Sequence, residues 1–191
     1  SKDNINKAYN LISTSKVRNE MIIDDVITCV ARKQTPVILT RFKEHAKFLY
    51  DALKEKADHV FLLYGDNSDK ENAEIRVKLK QIPENESLIL VATGQKIGEG
   101  FDFPRLDVLM LAAPVSFEGR LEQYVGRLNR DYVGKQAVYV YDYIDSHVRY
   151  FDKMYAKRLR TYRKMGFSIW TQEVQPKQII NAIFDSVNYT E

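Results

Sequence analysis

Apolar positions along the chain follow two spacings, which predict strands and helices in alternation. Short runs that are apolar at nearly every position predict five strands, at 35–40, 59–64, 87–92, 108–112 and 137–141. Between them, apolar residues recur every three or four positions and predict helices at 19–31, 41–57, 68–80 and 117–129. Strands that are apolar on both faces and alternate with helices are typical of a parallel sheet covered on both sides by helices.

The two ends of the chain depart from this alternation. Residues 1–18 are polar, with Asn, Ser and Lys prominent, and are interpreted as a lead-in. After Asp145 the pattern predicts two helices outside the sheet, at 146–165 and 178–187. The predicted organisation is a lead-in at 1–18, an α/β domain at 19–145 and a helical extension at 146–191.

Composition excludes few functions. Hydrophobic residues make up 45% and charged residues 29% of the 191, which is typical of a folded globular domain. The formal net charge of +3 does not by itself indicate a nucleic-acid binder, although it can hide a local basic face. A single cysteine, Cys29, excludes a disulfide within the chain and fits a reducing cytoplasm. We expect no membrane segment and no metal site, because there is no long apolar run and the histidines are scattered.

The helix predicted at 117–129 has the most informative pattern. At about 100° per residue, its apolar side chains share one face. They are Phe117, Leu121, Tyr124, Val125 and Leu128. Gln123, Arg127 and Arg130 share the opposite face, where two planar guanidinium groups suit the oxygens of a transferring γ-phosphoryl group. The alternative is an amphipathic helix whose two arginines are simply solvated.

These residues also resemble a known motif. From Gln123 to Arg130 the chain reads Q-x-x-G-R-x-x-R, which is similar to motif VI of superfamily 2 helicases. Upstream, segments 36–41 and 89–104 resemble motifs IV and V, in the order that this family has them. Leu63-Tyr64-Gly65 resembles the short segment that touches the nucleic-acid backbone. The resemblance implies a three-layer RecA-like domain with a mostly parallel sheet, the second of two motor domains.

The resemblance implies three groups of site residues. The catalytic group, in which the arginines act as fingers on the nucleotide, comprises Arg127, Arg130 and Gln123. The group that binds the nucleotide cofactor comprises Gly98, Gly100 and Asp102. The group that contacts nucleic-acid phosphates comprises Thr40, Arg41, Gly65 and Thr93. Glu99 either bridges to the partner domain or is solvated.

The chain lacks two parts that an ATPase of this family needs. It has neither the phosphate-binding loop G-x-x-x-x-G-K-[ST] nor the acidic motif that holds Mg²⁺. The resemblance therefore implies that ATP and Mg²⁺ are bound mainly by a preceding RecA-like domain of the same parent chain. We accordingly expect the 191-residue chain alone to be inactive.

The sequence leaves open the branch of the family and two rival interpretations. Gln123 stands where DEAD-box proteins have His, which is closer to the restriction-enzyme and DNA-repair branch and favours DNA over RNA. One rival is a RecA-like module that only binds nucleic acid or protein. Another is a flavodoxin-like or Rossmann-like domain for a small cofactor, which would need a phosphate fingerprint after the first strand. Thr40-Arg41-Phe42-Lys43 supplies none.

Two further patterns have both a functional and a structural interpretation. The helix at 146–165 places four basic residues on one side, namely Lys153, Lys157, Arg160 and Lys164. Such a stripe attracts nucleic acid or is an ordinary solvated face. Three alternate tyrosines, Tyr139, Tyr141 and Tyr143, either stack on bases or pack against the sheet.

Overall fold

A five-stranded sheet forms the centre of the chain. The computed structural model describes residues 2–94, 103–115, 123, 125 and 137–171. Within them the strands are β1 Pro36–Thr40, β2 His59–Leu63, β3 Leu88–Thr93, β4 Val108–Leu111 and β5 Tyr139–Asp142. Their order is β2-β3-β1-β4-β5, and every pairing is parallel. The predicted parallel α/β sheet is confirmed, and the strand ends agree with the prediction to within two residues.

Helices cover both faces of the sheet. The described helices are α1 Lys2–Thr14, α2 Lys16–Ala31, α3 Lys43–Leu53, α4 Asp69–Gln81 and α5 Arg149–Lys164. Along β1 the buried side chains alternate between the two faces of the sheet. Ile38 packs with α2 and α3, whereas Val37 and Leu39 pack with α4 and α5. This alternation explains why the strands are apolar at every position, since each face of the sheet meets its own helical layer.

The start of α4 is set by a local signal that the sequence shows directly. Ser68 accepts a hydrogen bond from the Glu71 backbone N–H at 3.1 Å, and the Glu71 carboxylate accepts one from the Ser68 backbone N–H. This reciprocal pair satisfies two N–H groups that a helix start leaves unpaired. The helix predicted at 68–80 therefore starts where expected, with Ser68 as its N-cap.

The predicted lead-in contains a helix that packs into the fold. Residues Ile5, Ala8, Tyr9 and Ile12 of α1 have the spacing of one helical face. Tyr9 and Ile12 are buried in a cluster with Ala113, Phe151 and Met154. The next helix begins at Lys16 instead of Asn19, because Ser15 caps it by accepting from the Arg18 N–H at 3.3 Å. Packing contacts therefore cross the predicted boundary between 18 and 19.

The C-terminal helix α5 also packs against the sheet domain. It runs over Arg149–Lys164, a little shorter than the predicted 146–165. Its buried residues are Phe151, Met154, Arg158, Thr161 and Tyr162. The buried face therefore includes two polar residues, Arg158 and Thr161. The helix predicted at 178–187 lies outside the described residues.

Candidate nucleic-acid interface at the carboxyl edge of the sheet

The four residues predicted to contact nucleic acid lie along one edge of the sheet. Because all strands are parallel, their carboxyl ends meet at the same edge, where open α/β sheets bind ligands. Thr40 at the end of β1 is the register partner of Thr93 at the end of β3. Arg41 follows Thr40, and Gly65 lies just beyond the end of β2, the neighbour of β3. The fold therefore brings these positions onto three consecutive strands.

Thr40 is tied into the protein by its hydroxyl group. Its Oγ1 lies 2.5 Å from Nδ1 of His45, whose Nε2 lies 2.8 Å from Oδ1 of Asn19. The amide nitrogen of Asn19 donates to the Ser13 carbonyl at 2.9 Å, so the amide oxygen of Asn19 is the acceptor for His45. Burial, with the positive charge of Arg18, lowers the pKa of His45 to about 3, so the imidazole is neutral.

The donor order of this chain of hydrogen bonds follows from the neutral imidazole. A neutral imidazole has one N–H, and in His45 it is on Nε2, because that nitrogen faces an acceptor. Nδ1 therefore accepts, and the Thr40 hydroxyl donates to it. Thr40 is only 4% exposed, and its hydroxyl hydrogen points into the protein. Its side chain offers a ligand lone pairs, whereas a phosphate needs donors.

Arg41 lies against an aromatic ring of the N-terminal helix. Its guanidinium carbon is 4.2 Å from the centroid of the Tyr9 ring, a cation–π distance, and the residue is exposed. Among the described residues no carboxylate forms an ion pair with it. Because a guanidinium has five N–H donors in its plane, Arg41 suits an anionic ligand at this edge.

Gly65 and Thr93 differ in accessibility. Gly65 is exposed, and a Cβ built at this position would meet nothing within 4 Å. The fold therefore does not require glycine here, and the free space suits the close approach of a ligand backbone. Thr93 is only 9% exposed, so little of its side chain is open to a ligand. Beside Gly65, the Lys43 ammonium pairs with Asp66 at 3.1 Å and joins α3 to the loop after β2.

Two buried ion pairs lie at the end of β5 and just beyond it. Arg18 of α2 donates to both oxygens of Asp145, at 2.9 and 3.0 Å. Arg158 of α5 donates to both oxygens of Asp142, at 2.7 and 2.8 Å. The Tyr162 hydroxyl adds a third donor to Asp142 at 2.6 Å. Burial, and then the charge of Asp142, raise the pKa of Tyr162 well above its ordinary range, so it stays a donor.

The segment 112–115, which follows β4, receives hydrogen bonds from three helices. The donors are Arg18 to the Ala112 carbonyl, Tyr9 to the Pro114 carbonyl at 3.0 Å and Arg158 to the Val115 carbonyl at 3.1 Å. None of the three donors is visible in the sequence pattern, since each bond joins residues 43 or more positions apart. The arrangement fixes the chain just before the stretch that resembles motif VI.

The catalytic and cofactor groups fall largely outside the described residues. Gln123 and Val125 are helical, the first exposed and the second buried in the core beside Leu111. These two positions agree with the predicted helix, whose apolar face contains Val125 and whose opposite face contains Gln123. Arg127, Arg130, Gly98, Gly100, Asp102 and Glu99 are outside the described residues, so their roles stay predictions.

The two ambiguous patterns are partly resolved by burial. The predicted basic side chains of α5, Lys153, Lys157, Arg160 and Lys164, are all exposed, as are Arg149 and Arg163. Asp152 is the one acidic residue of that helix, so its outer face is strongly positive. Tyr143 is buried and donates to Asp25 at 2.8 Å, and Tyr141 packs against the same core. For these two tyrosines the packing interpretation holds.

Neither a membrane helix nor a metal cluster is found within the part of the chain that the structure describes. No described helix is both long enough and apolar enough to cross a membrane. The described His, Cys, Asp and Glu residues form no group of three that could hold a metal ion.

Sequence relatives of the chain are viral proteins. No family model matches it. It is 32% identical over 120 residues to transcript termination protein A18 of Yaba-like disease virus, covering 62% of this chain and 24% of that protein. It is 24% identical over 198 residues to transcript termination protein OPG145 of vaccinia virus (strain Copenhagen), covering 93% and 40%. The chain thus spans between a quarter and two fifths of the length of these relatives.

Solved structures with a similar fold include helicase domains. T4 UvsW matches with a TM-score of 0.67 and 22% identity, over 85% of this chain and 35% of that one. Mss116p DEAD-box helicase domain 2 bound to an RNA duplex matches with a TM-score of 0.58 and 17% identity, over 93% of this chain and 65% of that one. The helicase domain of Pyrococcus furiosus Hef matches with a TM-score of 0.51 and 21% identity, over 71% of this chain and 28% of that one. The predicted RecA-like fold is confirmed, and the chain shares it with Mss116p domain 2.

Proposed function

We propose that the chain is the second motor domain of an ATP-dependent superfamily 2 helicase or translocase. The main support is the convergence of the four predicted positions at one sheet edge, where Arg41 and Gly65 are exposed, in a fold shared with helicase domain 2. The chain would grip the phosphates of one strand at this edge. Because phosphate contacts position a nucleic acid without reading its sequence, they suit a motor that moves along any sequence.

The nucleotide site of this motor would be shared with a preceding RecA-like domain of the same parent chain. ATP and Mg²⁺ would be held mainly by that domain, and ATP supplies the γ-phosphoryl group whose hydrolysis drives the cycle. From this chain, Arg127 and Arg130 would add positive charge, and Gln123 an amide. The exposed position of Gln123 fits this role, and the buried Val125 would anchor the helix. Gly98, Gly100 and Asp102 would complete the cofactor side.

The nucleic acid is proposed from chemistry and from the relatives' names. Motif VI favours DNA by its resemblance to the restriction-enzyme and DNA-repair branch. The viral relatives are named transcript termination proteins, which supports a role in transcription and gives no support to restriction. A transcription complex contains both a DNA template and an RNA transcript. We therefore propose a transcription-linked motor, and an experiment with both nucleic acids decides which strand it grips.

The decisive experiment is ATP turnover by the parent protein with DNA or RNA oligonucleotides of equal length. We expect Arg127→Ala and Arg130→Ala each to lower turnover, on the order of 10³–10⁵-fold, as for an arginine finger. Arg32→Ala is the matched control, because Arg32 is exposed at the end of α2, before β1 begins. Unchanged turnover in both finger variants would refute the arginine-finger role.

The same experiment separates the motor from the rival module. The 191-residue chain alone is expected to show no substantial ATP turnover and no tight ATP binding. If the parent protein binds nucleic acid and also lacks turnover, the chain is a non-catalytic RecA-like module. Substantial turnover by the isolated chain would contradict both interpretations.

A further inference from the structure

We propose that Tyr9 is a positioning residue for nucleic-acid binding, because its ring seats the Arg41 guanidinium at the carboxyl edge of β1. The inference rests on the proposed phosphate contact of Arg41 and adds a residue from α1 to it. Tyr9 lies in the predicted lead-in, outside the 19–145 segment that resembles helicase motifs.

The Tyr9 ring is fixed from several sides. It meets Phe151 of α5 edge-on, with ring centroids 4.8 Å apart, and Phe42 at 6.2 Å. Its hydroxyl donates to the Pro114 carbonyl at 3.0 Å, and only 2% of the residue is exposed. The ring therefore connects α1, α5, the segment after β4 and the β1–α3 junction. The Arg41 guanidinium lies over this ring, 4.2 Å from its centroid.

An aromatic ring under the guanidinium lowers the entropy that an exposed arginine loses when it binds a phosphate. A free arginine loses much rotamer entropy when it is fixed on a phosphate. A guanidinium that already lies over an aromatic ring has lost part of that freedom before the ligand arrives. Arg41 lies over the ring and is still exposed, so its planar guanidinium can donate to phosphate oxygens.

The neighbouring Thr40 makes Arg41 the important donor at this point. The Thr40 hydroxyl hydrogen is committed to Nδ1 of His45 at 2.5 Å. A phosphate has oxygen acceptors, so it gains nothing from the remaining lone pairs of Thr40. Of these two consecutive side chains, Arg41 is the one whose donors are exposed. A strand phosphate at the end of β1 would therefore bind to Arg41.

Nucleic-acid binding at several salt concentrations tests the inference with the 191-residue chain. The probes are fluorescent oligothymidylate and oligouridylate of equal length. Arg41→Ala is expected to weaken binding roughly tenfold, as for one charge-assisted contact. It should also reduce the slope of log K against log salt by about 0.7, the value for one single-strand phosphate.

Substitutions of Tyr9 distinguish its contact with the Arg41 guanidinium from its role in packing. Tyr9→Phe keeps the aromatic face and is expected to bind with the affinity and salt slope of the wild type. Tyr9→Met fills similar space without that face and is expected to reproduce the loss of Arg41→Ala. The double variant Tyr9→Met with Arg41→Ala should bind no more weakly than Arg41→Ala alone, because both remove the same contact.

The possible outcomes distinguish the two levels of the proposal. If Arg41→Ala leaves affinity and slope unchanged, the phosphate contact at β1 fails, and the proposed function loses this support. If Arg41→Ala weakens binding and Tyr9→Met does not, the seat is overturned and the phosphate contact stands. Additive losses in the double variant would also overturn the seat. Equal responses to both probes indicate the shared phosphate chemistry, and unequal ones identify the preferred nucleic acid.

A measurement on the unaltered chain covers the case in which Tyr9→Met does not fold. Protons over an aromatic ring resonate upfield, so the Arg41 side-chain NMR signals should be shifted relative to those of the exposed Arg32. We expect this upfield shift to persist when oligothymidylate saturates the chain. A return of the Arg41 signals to the Arg32 position on binding would show that the arginine leaves the ring, and would overturn the inference.

Discussion

Arg158 and Asp142 form a two-pronged ion pair beneath α5, with 2% of the arginine and 10% of the aspartate side chain exposed. Burial alone would lower the pKa of Arg158, but the hydrogen bonds and charge of Asp142 outweigh it, and the pKa is raised. The pair thus offsets the cost of burying the guanidinium. Removing one partner would leave the other as an uncompensated buried charge.

Asp142→Ala is expected to lower the free energy of unfolding by about 3–5 kcal/mol, because the buried guanidinium would lose its counter-ion. Urea denaturation followed by circular dichroism measures this. The control is Lys47→Ala, which breaks an exposed pair with Asp51 at 3.0 Å and is expected to change the free energy of unfolding far less. Similar losses in the two variants would contradict the buried pairing.

Thr40→Val should act mainly on stability. It removes the hydroxyl that donates to His45 and leaves a buried ring nitrogen without a partner, which costs about 1–3 kcal/mol. Thr40→Ser keeps the donor and is expected to lose much less. Oligonucleotide binding is measured at a temperature where all variants are folded. A large loss of affinity in a fully folded Thr40→Val would indicate that the hydroxyl contacts the phosphate directly.

The buried His45 should make stability depend on pH. Its pKa falls from 6.5 to about 3 on folding, chiefly through burial, so below 6.5 the unfolded chain binds a proton that the native chain does not. Its contribution is therefore complete above pH 6.5 and is lost as pH falls towards 3, by at most about 1.4 kcal/mol per pH unit.

The measurement for His45 is urea denaturation between pH 4 and 7 for the wild type and His45→Gln. The wild type should lose stability more steeply than His45→Gln as the pH falls through this range. His147→Gln, at an exposed position, controls for the removal of an imidazole and should retain the wild-type slope. Parallel curves for the wild type and His45→Gln would refute the prediction.

Two glycines should respond in opposite ways to substitution by alanine. At Gly65 a Cβ meets nothing within 4 Å, so Gly65→Ala is expected to leave thermal stability unchanged and to weaken oligonucleotide binding by crowding the strand. Gly166 has a φ of +85°, so Gly166→Ala is expected to cost about 1 kcal/mol and to leave binding unchanged. If Gly65→Ala binds as the wild type does, the predicted backbone contact at Gly65 is wrong.

The sequence predicts the features that depend on local pattern. The strands are visible because both faces of the sheet are covered, so that Val37, Ile38 and Leu39 are apolar in succession. The start of α4 is visible because Ser68 and Glu71 lie three residues apart. The position of Thr40 and Thr93 at one edge follows once the strands are known to be parallel.

Features that depend on distant partners could not be predicted in this way. Arg158 is one of several basic residues of α5, so the sequence alone predicts that it is exposed. It is buried because it pairs with Asp142, which lies on a strand. His45 belongs to no spacing motif, and its role depends on Asn19 and Thr40 from other elements. The helix α1 is different: the spacing of Ile5, Tyr9 and Ile12 was visible, but its polar composition masked it.

Arg18 stands one position before the segment that resembles helicase motifs, and this has a practical consequence for transplanting the domain. A graft that starts at Asn19 would leave Asp145 buried without its counter-ion and the Ala112 carbonyl without its donor. Such a chimaera is expected to fail as a folded unit, even though every recognisable motif is retained in it. A graft that keeps the buried Arg18–Asp145 pair therefore has to start upstream of Arg18.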